Sequence, residues 1–430
     1  MKRKKQQRKT VTIIGLGYVG LPLATLCAEK GYKTYGLSID RKKMKMINEG
    51  INPIKGDVEL DKMVARKQVV ATFDANVMKR SDIVIICVPT PVDKFYNPDL
   101  KPVKSATAKA AQHMKKGQLI IIESTINPGV CEEVVLPILE KGGKKVGKDF
   151  YLAHCPERIN PGDPKWNVRN IPRVVGAITR RGTKLASAFY SSILEGSVRE
   201  MKSIKEAEAT KIIENSFRDI NIAFVNELAK SFDRLGIDVY DVIQGASTKP
   251  FAFLAHYPSC GVGGHCIPVD PYYLIERAKQ SGFDHRFLRL AREINNSMPS
   301  YTVNQLIRIL NELGKSVKGT PIGILGLSYK ADVGDIRESP SLKIIELLKN
   351  FHAEVNVYDP YFPDESTVKS LDALLKKSEA VILAAPHKEF ISMDLRKLKK
   401  NGIKVVIDGQ NAFDKRTLVD FGIRYKGIGR

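Results

Sequence analysis

The chain has 430 residues, 43% of them hydrophobic, which is typical of a globular protein with two or three domains. No apolar run approaches the roughly 18 residues that a membrane-spanning helix needs. Residues 11–14 are apolar but are followed at once by glycines, unlike the core of a signal peptide. We therefore expect a cytoplasmic protein with no membrane partner.

The formal net charge of +22 raises the question of a nucleic-acid partner. The basic residues are scattered, however, and only residues 1–10 form a dense run, which we interpret as a basic leader. Scattered lysines are typical of a solvated surface, so no nucleic-acid partner is predicted. The six cysteines include no CxxC pair, and reduced thiols are expected in a chain of this length.

The first half of the chain alternates between strand and helix patterns. The pattern of residues 11–40 predicts a strand, a glycine turn, a helix and a second strand. Further strands are predicted at 82–89, at 119–123 and around 150–153. Strands that alternate with helical stretches indicate βαβ units and a parallel sheet.

The middle of the chain is predicted to be helical, and the alternation of strands and helices then returns. Residues 204–235 contain no proline and carry apolar residues near helical spacing, and a second helical stretch covers about 286–313. Later strands are expected at 321–330, 353–359, 380–385 and 405–408, with a helix at 339–350. The predicted fold is α/β, with two Rossmann-like, doubly wound parallel-sheet domains joined by a central helical domain that contains one long helix.

A G-x-G-x-x-G motif occupies residues 15–20, between the first predicted strand and the first helix. In this context the glycines allow a tight turn and let the backbone approach a dinucleotide pyrophosphate at the helix N-terminus. The acid that holds the cofactor ribose is usually found at the end of the second strand, where this chain has Ser38, with Asp40 two residues later. NAD is predicted, and the basic residues 41–43 leave NADP as the alternative.

Cys266 lies in the glycine-rich segment 261–273, four residues before Asp270. A cysteine there suits an activated thiolate with a nearby carboxylate. By composition alone, a glycine-rich turn around a buried cysteine is an equally good interpretation.

The long predicted helix carries Lys211, Asn215 and Arg218 on one face. Two cations and an amide on one stripe could line a site for an anionic or developing oxyanionic group. The alternative is a solvated helix face, which Asn215 argues against because it interrupts an apolar stretch. No metal site is expected, since potential ligands do not cluster at metal spacing.

Seven motifs occur in a fixed order along the chain. They are GLGYVGLPLA, VPTP (88–91), ESTINPG (123–129), CPERINPG (155–162), the helix with Lys211 and Asn215, GVGGHCIPVDPYYL and GLSYKADVGDIRESP. In this order they resemble the UDP-sugar 6-dehydrogenases from about residue 10 to residue 430. The segment GGHCIPVDPYYL, with His265 before the cysteine, resembles the branch that acts on UDP-N-acetylhexosamines, since UDP-glucose enzymes typically carry a different residue there. The stretch STKPF (247–251) resembles the enzymes that act on UDP-N-acetylglucosamine. The His-Pro-Arg that is typical of UDP-N-acetylmannosamine enzymes is absent.

The resemblance implies an NAD-dependent four-electron oxidation of the C6 hydroxyl of a UDP-N-acetylhexosamine, through an aldehyde and a thioester on Cys266. UDP-N-acetylglucosamine is the expected substrate, and UDP-N-acetylmannosamine or UDP-glucose are the alternatives. The implied catalytic residues are Thr125, Glu157, Lys211, Asn215, Cys266 and Asp270. Those implied for the cofactor are Gly15, Gly17, Tyr18, Val19, Gly20, Ser38, Asp40, Lys43, Pro89, Thr90, Thr125 and Arg337. Those implied for the substrate are Glu157, Arg158, Ile159, Lys211, Asn215, Arg218, Tyr257, Gly263, His265, Tyr329 and Lys330.

The resemblance also implies a domain order and a homodimer. Residues 11–200 would bind NAD, residues 201–312 would form the central domain with the dimer contact and the cysteine, and residues 313–430 would bind UDP. Two residues depart from the family pattern, Ser38 in place of an aspartate and Gln410 in place of an arginine that contacts UDP. A two-electron hydroxyacid dehydrogenase is the alternative class, and it would form one NADH per substrate instead of two.

Overall fold

The computed structural model describes residues 9–54, 57–93, 97–159 and 165–430. The chain divides into two compact units. The first consists of the residues up to Glu214 together with Tyr272–Phe283, and the second consists of Asn215–Pro271 and Asp284–Arg430. Residues 1–8 of the predicted leader, and part of the CPERINPG motif, lie outside the described residues.

The first unit contains an eight-stranded sheet. Its strands are β1 (Thr10–Ile14), β2 (Lys33–Leu37), β3 (Val69–Thr72), β4 (Ile83–Ile86), β5 (Gln118–Ile122), β6 (Phe150–His154), β7 (Arg173–Ala177) and β8 (Val198–Glu200). Their order is β3-β2-β1-β4-β5-β6-β7-β8, and neighbours are parallel except for β6 and β7. The predicted parallel sheet is thus confirmed.

Helices cover both faces of this sheet. They are α1 (Gly20–Glu29), α2 (Arg41–Glu49), α3 (Val58–Ala65), α4 (Lys101–His113), α5 (Leu136–Glu140) and α6 (Arg180–Ile193), with a 3₁₀ helix at Ala75–Arg80 and a π-helical turn at Cys131–Val135. Alternate residues of β4 enter different cores: Ile83 and Ile85 pack in one, and Val84 and Ile86 in the other. A strand buried on both faces must be apolar throughout, which explains the continuous run of apolar residues at this position.

The middle of the chain is helical, as predicted. Its helices are α7 (Ile204–Leu235), α8 (Val239–Ser247), α9 (Asp270–Gln280), α10 (Arg286–Asn296) and α11 (Met298–Glu312). The helical stretch predicted over 286–313 is two helices with a break at Ser297. Pro299 lies in the first turn of α11, where its missing N–H costs no helical hydrogen bond, whereas it could not continue α10.

The second unit contains a five-stranded, wholly parallel sheet in the order β10-β9-β11-β12-β13. Its strands are β9 (Pro321–Leu325), β10 (Glu354–Tyr358), β11 (Ala380–Leu383), β12 (Val405–Asp408) and β13 (Arg424–Gly427). Its later helices are α12 (Pro340–Asn350), α13 (Leu371–Lys376), α14 (Lys388–Ile391), α15 (Arg396–Lys400) and α16 (Lys415–Asp420). None of the helices in the described residues combines the length and apolar character needed to cross a membrane.

In each sheet the strand order reverses at one point, between β1 and β4 in the first and between β9 and β11 in the second. Ligands of open α/β sheets bind beside the carboxyl ends of the strands at such a reversal. The glycine motif and the loops after β4 and β5 lie at this edge of the first sheet, and the loop after β9 lies at this edge of the second.

Candidate active site

The glycine motif forms a tight turn between β1 and α1. Gly15 has a φ of +97°, and its N–H donates to the Leu37 carbonyl at 2.8 Å. A Cβ on Gly15 would lie 2.5 Å from the Cys87 carbonyl oxygen, and a Cβ on Gly20 would lie 1.8 Å from the Gly15 carbonyl oxygen. Side chains are therefore excluded at both positions by the backbone itself.

Gly17 differs from the other two glycines, because nothing lies within 4 Å of the Cβ it would carry. It therefore leaves open space in front of the first turn of α1, where Tyr18 is 38% exposed and Val19 is the residue before the helix. Open space beside backbone N–H groups at a helix N-terminus is what a dinucleotide pyrophosphate requires. The residues present fit a bound NAD.

Ser38 directly follows β2, and Asp40 does not take its place at the strand end. The Asp40 carboxylate caps α2 by accepting from the Lys43 N–H at 3.0 Å, and the Ser38 hydroxyl accepts from the Asp40 N–H at 3.1 Å. The Asp40 side chain is 42% exposed and lies 3.9 Å from the Lys43 ammonium. Asp40 thus has a local structural task, and Ser38 is the residue at the strand end.

The loops after β4 and β5 meet beside the glycine turn. In the first loop Pro89 is exposed and Thr90 is buried. In the second, the Ser124 hydroxyl donates to the Val88 carbonyl at 2.7 Å, and Thr125 is partly exposed. The predicted residues Pro89, Thr90 and Thr125 therefore lie on adjacent loops at the reversal point of the sheet.

Glu157, in the loop after β6, is held by three donors. One carboxylate oxygen accepts from the N–H groups of Arg158 at 2.5 Å and Ile159 at 2.6 Å, and the other accepts from the Arg173 guanidinium at 2.6 Å. Arg158 in turn pairs with Glu214. The carboxylate is buried and its orientation is fixed.

Arg173 opens β7 and is fully buried, and its motif was not singled out from the sequence. Besides Glu157 it lies 3.9 Å from Glu123, which also accepts from the Tyr190 hydroxyl. Burial raises the pKa of Glu123 to about 7 against the opposing charge of Arg173. The signal that could have revealed this cluster is the single cation in the apolar stretch IPRVVGA.

The predicted residues of α7 divide between the two units. Lys211 is buried in the first unit. In the second, the Asn215 amide donates to the Asp270 carboxylate, and Arg218 is exposed. Asp270 is itself buried, so its hydrogen bond to Asn215 sets the orientation of both groups.

Cys266 lies in the second unit, in the turn that leads into α9. Its carbonyl accepts from the N–H groups of Val269 at 3.1 Å and Asp270 at 2.8 Å and so starts the helix. Cys266 is partly exposed, whereas the other five cysteines are buried. Between the two interpretations of the segment, the structure favours an accessible thiol.

The two glycines before Cys266 allow close packing on the loop after β9. Gly264 has a φ of +90°, and a Cβ there would lie 2.8 Å from the Tyr329 ring. A Cβ on Gly263 would lie 2.6 Å from the Tyr329 Cβ, and the Gly264 N–H donates to the Arg337 carbonyl at 2.9 Å. Larger residues would displace the segment that carries His265 and Cys266.

The loop after β9 carries Tyr329 and Lys330, both partly exposed. Farther along, the exposed Arg337 forms a bidentate pair with Asp335, with nitrogen–oxygen distances of 2.9 and 2.6 Å. This pair occupies the guanidinium that the family pattern would use for the cofactor. Tyr257 is also in this unit, with its ring 4.6 Å from that of Tyr240.

Gln410 points inward. Its amide donates to the Ala384 carbonyl at 2.9 Å and lies 3.5 Å from the Cys260 sulfur. Where the family pattern has an arginine, this chain therefore has a structural residue that supports the start of the cysteine segment.

The chain matches the models of the three domains of the UDP-glucose/GDP-mannose dehydrogenase family. The NAD binding domain matches residues 9–194, the central domain residues 205–297 and the UDP binding domain residues 323–415.

Curated relatives and solved structures agree with these matches. A protein from Pyrococcus horikoshii named UDP-N-acetyl-D-mannosamine dehydrogenase is 36% identical over 98% of this chain and 99% of its own length. One from Pseudomonas aeruginosa named UDP-N-acetyl-D-glucosamine 6-dehydrogenase is 34% identical over 91% of this chain and 94% of its own length. The solved structure of the P. horikoshii UDP-D-ManNAc dehydrogenase has a TM-score of 0.91 at 35% identity and covers 98% of this chain and 99% of that one. The chain belongs to the UDP-glucose/GDP-mannose dehydrogenase family, and it is an NAD-dependent UDP-sugar dehydrogenase.

Proposed function

We propose that the protein oxidises the C6 hydroxyl of UDP-N-acetylglucosamine to the carboxylate. One substrate, two NAD⁺ and one water give the uronate, two NADH and three protons. The observation that carries the proposal is the accessible thiol of Cys266, which follows two glycines and precedes a buried carboxylate. A hydroxyacid dehydrogenase that stops after two electrons has no need of such a thiol.

Cys266 divides the reaction into two oxidations. The first removes a hydride and a proton from the C6 hydroxyl and leaves an aldehyde. The S–H of Cys266 then adds across the aldehyde C=O, and loss of a second hydride and a proton converts the adduct into a thioester. Water breaks the C–S bond, which releases the acid and returns the thiol. Bound NAD supplies the hydride acceptor for both oxidations.

Lys211 and Asn215 are proposed to stabilise the oxyanions that form at C6, as a cation and an amide donor on one helix face. The Asn215 amide is already oriented by its bond to Asp270. We assign Asp270, Glu157 and Thr125 to the water that attacks the thioester. The three donors on Glu157 support a positioning role, because they hold the carboxylate in one orientation.

NAD is proposed to bind along the carboxyl edge of the first sheet, within residues 11–200. Gly15, Gly17 and Gly20 would admit the pyrophosphate, since Gly17 faces open space and the other two close the turn. Tyr18, Val19, Ser38, Asp40 and Lys43 would hold the adenosine half, and Pro89, Thr90 and Thr125 the nicotinamide half. Arg337 is proposed to contact the cofactor after its pair with Asp335 opens.

The UDP-sugar is proposed to be held by residues from all three domains of the chain. Residues 201–312 would supply Lys211, Asn215, Arg218, Tyr257, Gly263 and His265, residues 313–430 would supply Tyr329 and Lys330, and the first domain would supply Glu157, Arg158 and Ile159. The loop after β9 supports this assignment, because its Tyr329 ring packs directly on the glycines before Cys266.

UDP-N-acetylmannosamine is the second candidate substrate, because the relative named for it is 36% identical to this chain and the one named for the glucosamine epimer is 34% identical. The proposal for the glucosamine epimer rests on STKPF (247–251) and on the absent His-Pro-Arg.

A panel of UDP-sugars tests the proposal directly. We expect UDP-N-acetylglucosamine to give the highest kcat/KM and two NADH per molecule, with a uronate identified by mass spectrometry. A higher kcat/KM for the mannosamine epimer would change the substrate and keep the mechanism. One NADH per molecule, with an aldehyde or ketone as product, would overturn the mechanism.

We also propose a homodimer that forms through the central helices. Phe217 and Phe224 lie seven residues apart on α7 and are 51% and 55% exposed, and Phe287 and Leu290 on α10 are 67% and 51% exposed. Four large apolar side chains in contact with water favour a partner surface. Light scattering should give twice the 47.9 kDa of one chain.

A further inference from the structure

Tyr273, which has no role in the proposed reaction, makes two hydrogen bonds within the first unit. It lies on α9 and is fully buried. Its hydroxyl donates to the Thr90 carbonyl at 2.7 Å, and its own carbonyl accepts from the Asn127 amide at 3.0 Å. One residue therefore links two loops that are far apart in the sequence.

These two loops follow neighbouring strands of the sheet. Thr90 lies in the loop after β4, and Asn127 lies in the loop after β5, two residues beyond Thr125. A glycine loop after β1 takes the pyrophosphate, so the loops on the other side of the strand reversal face the nicotinamide half of the dinucleotide. The spacing between them decides how that half is held.

The Thr90 residue is 3% exposed, so its carbonyl must find a donor inside the protein. The Tyr273 hydroxyl meets this need. Without it, the loop must either leave a buried carbonyl without this bond or move to reach another donor. Either change alters the loop that would contact the nicotinamide.

We infer that Tyr273 is a positioning residue for NAD, which holds the Thr90 and Asn127 loops at the spacing that the nicotinamide half requires. The inference rests on the proposed placement of NAD at Thr90 and Thr125. It extends that placement to a residue that does not itself touch the cofactor.

The test is Tyr273→Phe, which removes one hydroxyl and leaves the ring. Isothermal titration of NAD into substrate-free enzyme should give a Kd about three- to tenfold higher than for the wild type, the effect expected from one buried hydrogen bond. The KM for NAD should rise with it, while the KM for the UDP-sugar stays the same. Tyr32→Phe is the control, because it loses a more exposed hydroxyl bond to Ser192 at 2.7 Å in the same unit, away from these loops.

Asn127→Ala removes the other link and should weaken NAD binding in the same direction. It serves as the second variant if Tyr273→Phe fails to fold, as judged by circular dichroism. Wild-type NAD affinity in a folded Tyr273→Phe or Asn127→Ala overturns the inference and leaves the proposed function intact. Failure of the wild type to reduce NAD with any UDP-sugar would instead refute the proposed function.

Discussion

At the scale of single residues, two cysteines six positions apart have opposite environments. Cys260 is fully buried, its N–H donates to the Gly409 carbonyl at 2.7 Å, and burial raises the pKa of its thiol to about 12. Cys266 is partly exposed and lies after Gly263, Gly264 and His265. These surroundings support the proposed catalytic role of Cys266 and give Cys260 a packing role.

Replacing Cys266 with serine should block the second half of the reaction. A serine hydroxyl is almost wholly protonated near neutral pH and is a far weaker nucleophile, so we expect uronate formation to fall by more than about 100-fold. The first hydride transfer needs no sulfur, so a single turnover can still release NADH. The measurement is uronate by mass spectrometry beside NADH absorbance.

Cys260→Ser is the matched control and should keep activity within about twofold, since a serine can still donate to the Ala384 carbonyl that Cys260 faces. Uronate formation at the wild-type rate in Cys266→Ser would refute covalent catalysis by this thiol. Loss of activity confined to Cys260→Ser would show that the assignment of the two thiols is reversed.

Alkylation offers an independent test of the same assignment. Burial raises the pKa of the thiols of Cys27, Cys87, Cys131, Cys155 and Cys260, and a protonated, enclosed thiol reacts slowly. We expect iodoacetamide at pH 7.5 to modify Cys266 first and to abolish activity in step with that modification. Peptide mass spectrometry identifies the modified residue, and modification of any other cysteine before Cys266 would contradict the expectation.

At the scale of single elements, the residues that follow β2 and β10 differ in their contacts. β2 is followed directly by Ser38, and the next acid, Asp40, caps α2. β10 is followed by Asp359, which is fully buried and accepts from the N–H groups of Leu327 at 2.6 Å and Ser328 at 2.9 Å. The carboxylate thus occupies backbone donors of the loop after β9.

The end of β2 predicts the cofactor preference. We expect kcat/KM for NAD to exceed that for NADP, and Ser38→Asp to raise this ratio by about tenfold, because a second carboxylate repels the 2′-phosphate and accepts from the ribose hydroxyls. Steady-state assays with both cofactors measure the ratio. A wild-type ratio below one would assign residues 41–43 to a phosphate site.

The loop after β9 predicts a pH-dependent contribution to stability. Burial by itself would raise the pKa of Asp359, but hydrogen bonds from His387, at 3.0 Å, and from the Ser328 N–H lower it to about 2. Because the pKa is lower in the folded protein, the carboxylate stabilises the fold above about pH 4, and this contribution is lost as the pH falls toward 2.

Asp359→Asn should therefore lower the free energy of unfolding by about 2 kcal/mol at pH 7, and the difference from the wild type should shrink to about half near pH 3. Urea unfolding followed by circular dichroism at each pH measures both effects. The exposed Asp364→Asn is the control and should show neither. A difference that does not change with pH would mean that the charge of Asp359 is not what stabilises the loop.

At the scale of the whole molecule, apolar side chains on α7 and α10 remain exposed within one chain, and the proposed dimer would cover them. Phe224→Glu should convert the dimer into a monomer, because each copy of the contact would bury an unpaired carboxylate. Val419→Glu is the control, since Val419 on α16 is 54% exposed, close to the 55% of Phe224. Light scattering measures the molar mass of both variants. A dimer mass for Phe224→Glu would contradict the proposed surface.

Local patterns in the sequence determined much of this protein. α7 spans Ile204–Leu235 as predicted, because absence of proline and helical spacing act over a few residues at a time. The glycine turn, the two parallel sheets and the family follow from motifs of the same short range. Cys266 and Asp270 were candidates for the site for the same reason, since they lie four residues apart.

Only the tertiary structure decided which distant residues meet. Arg173 reaches Glu157 and Glu123 because β5, β6 and β7 are neighbours in one sheet, and no local pattern encodes which strands pair. Gln410 turns inward to Cys260, 150 residues before it, and Tyr273 reaches Thr90 across 183 residues. Such contacts depend on how the strands pair and the helices pack over long separations, so they become visible only when the chain is folded.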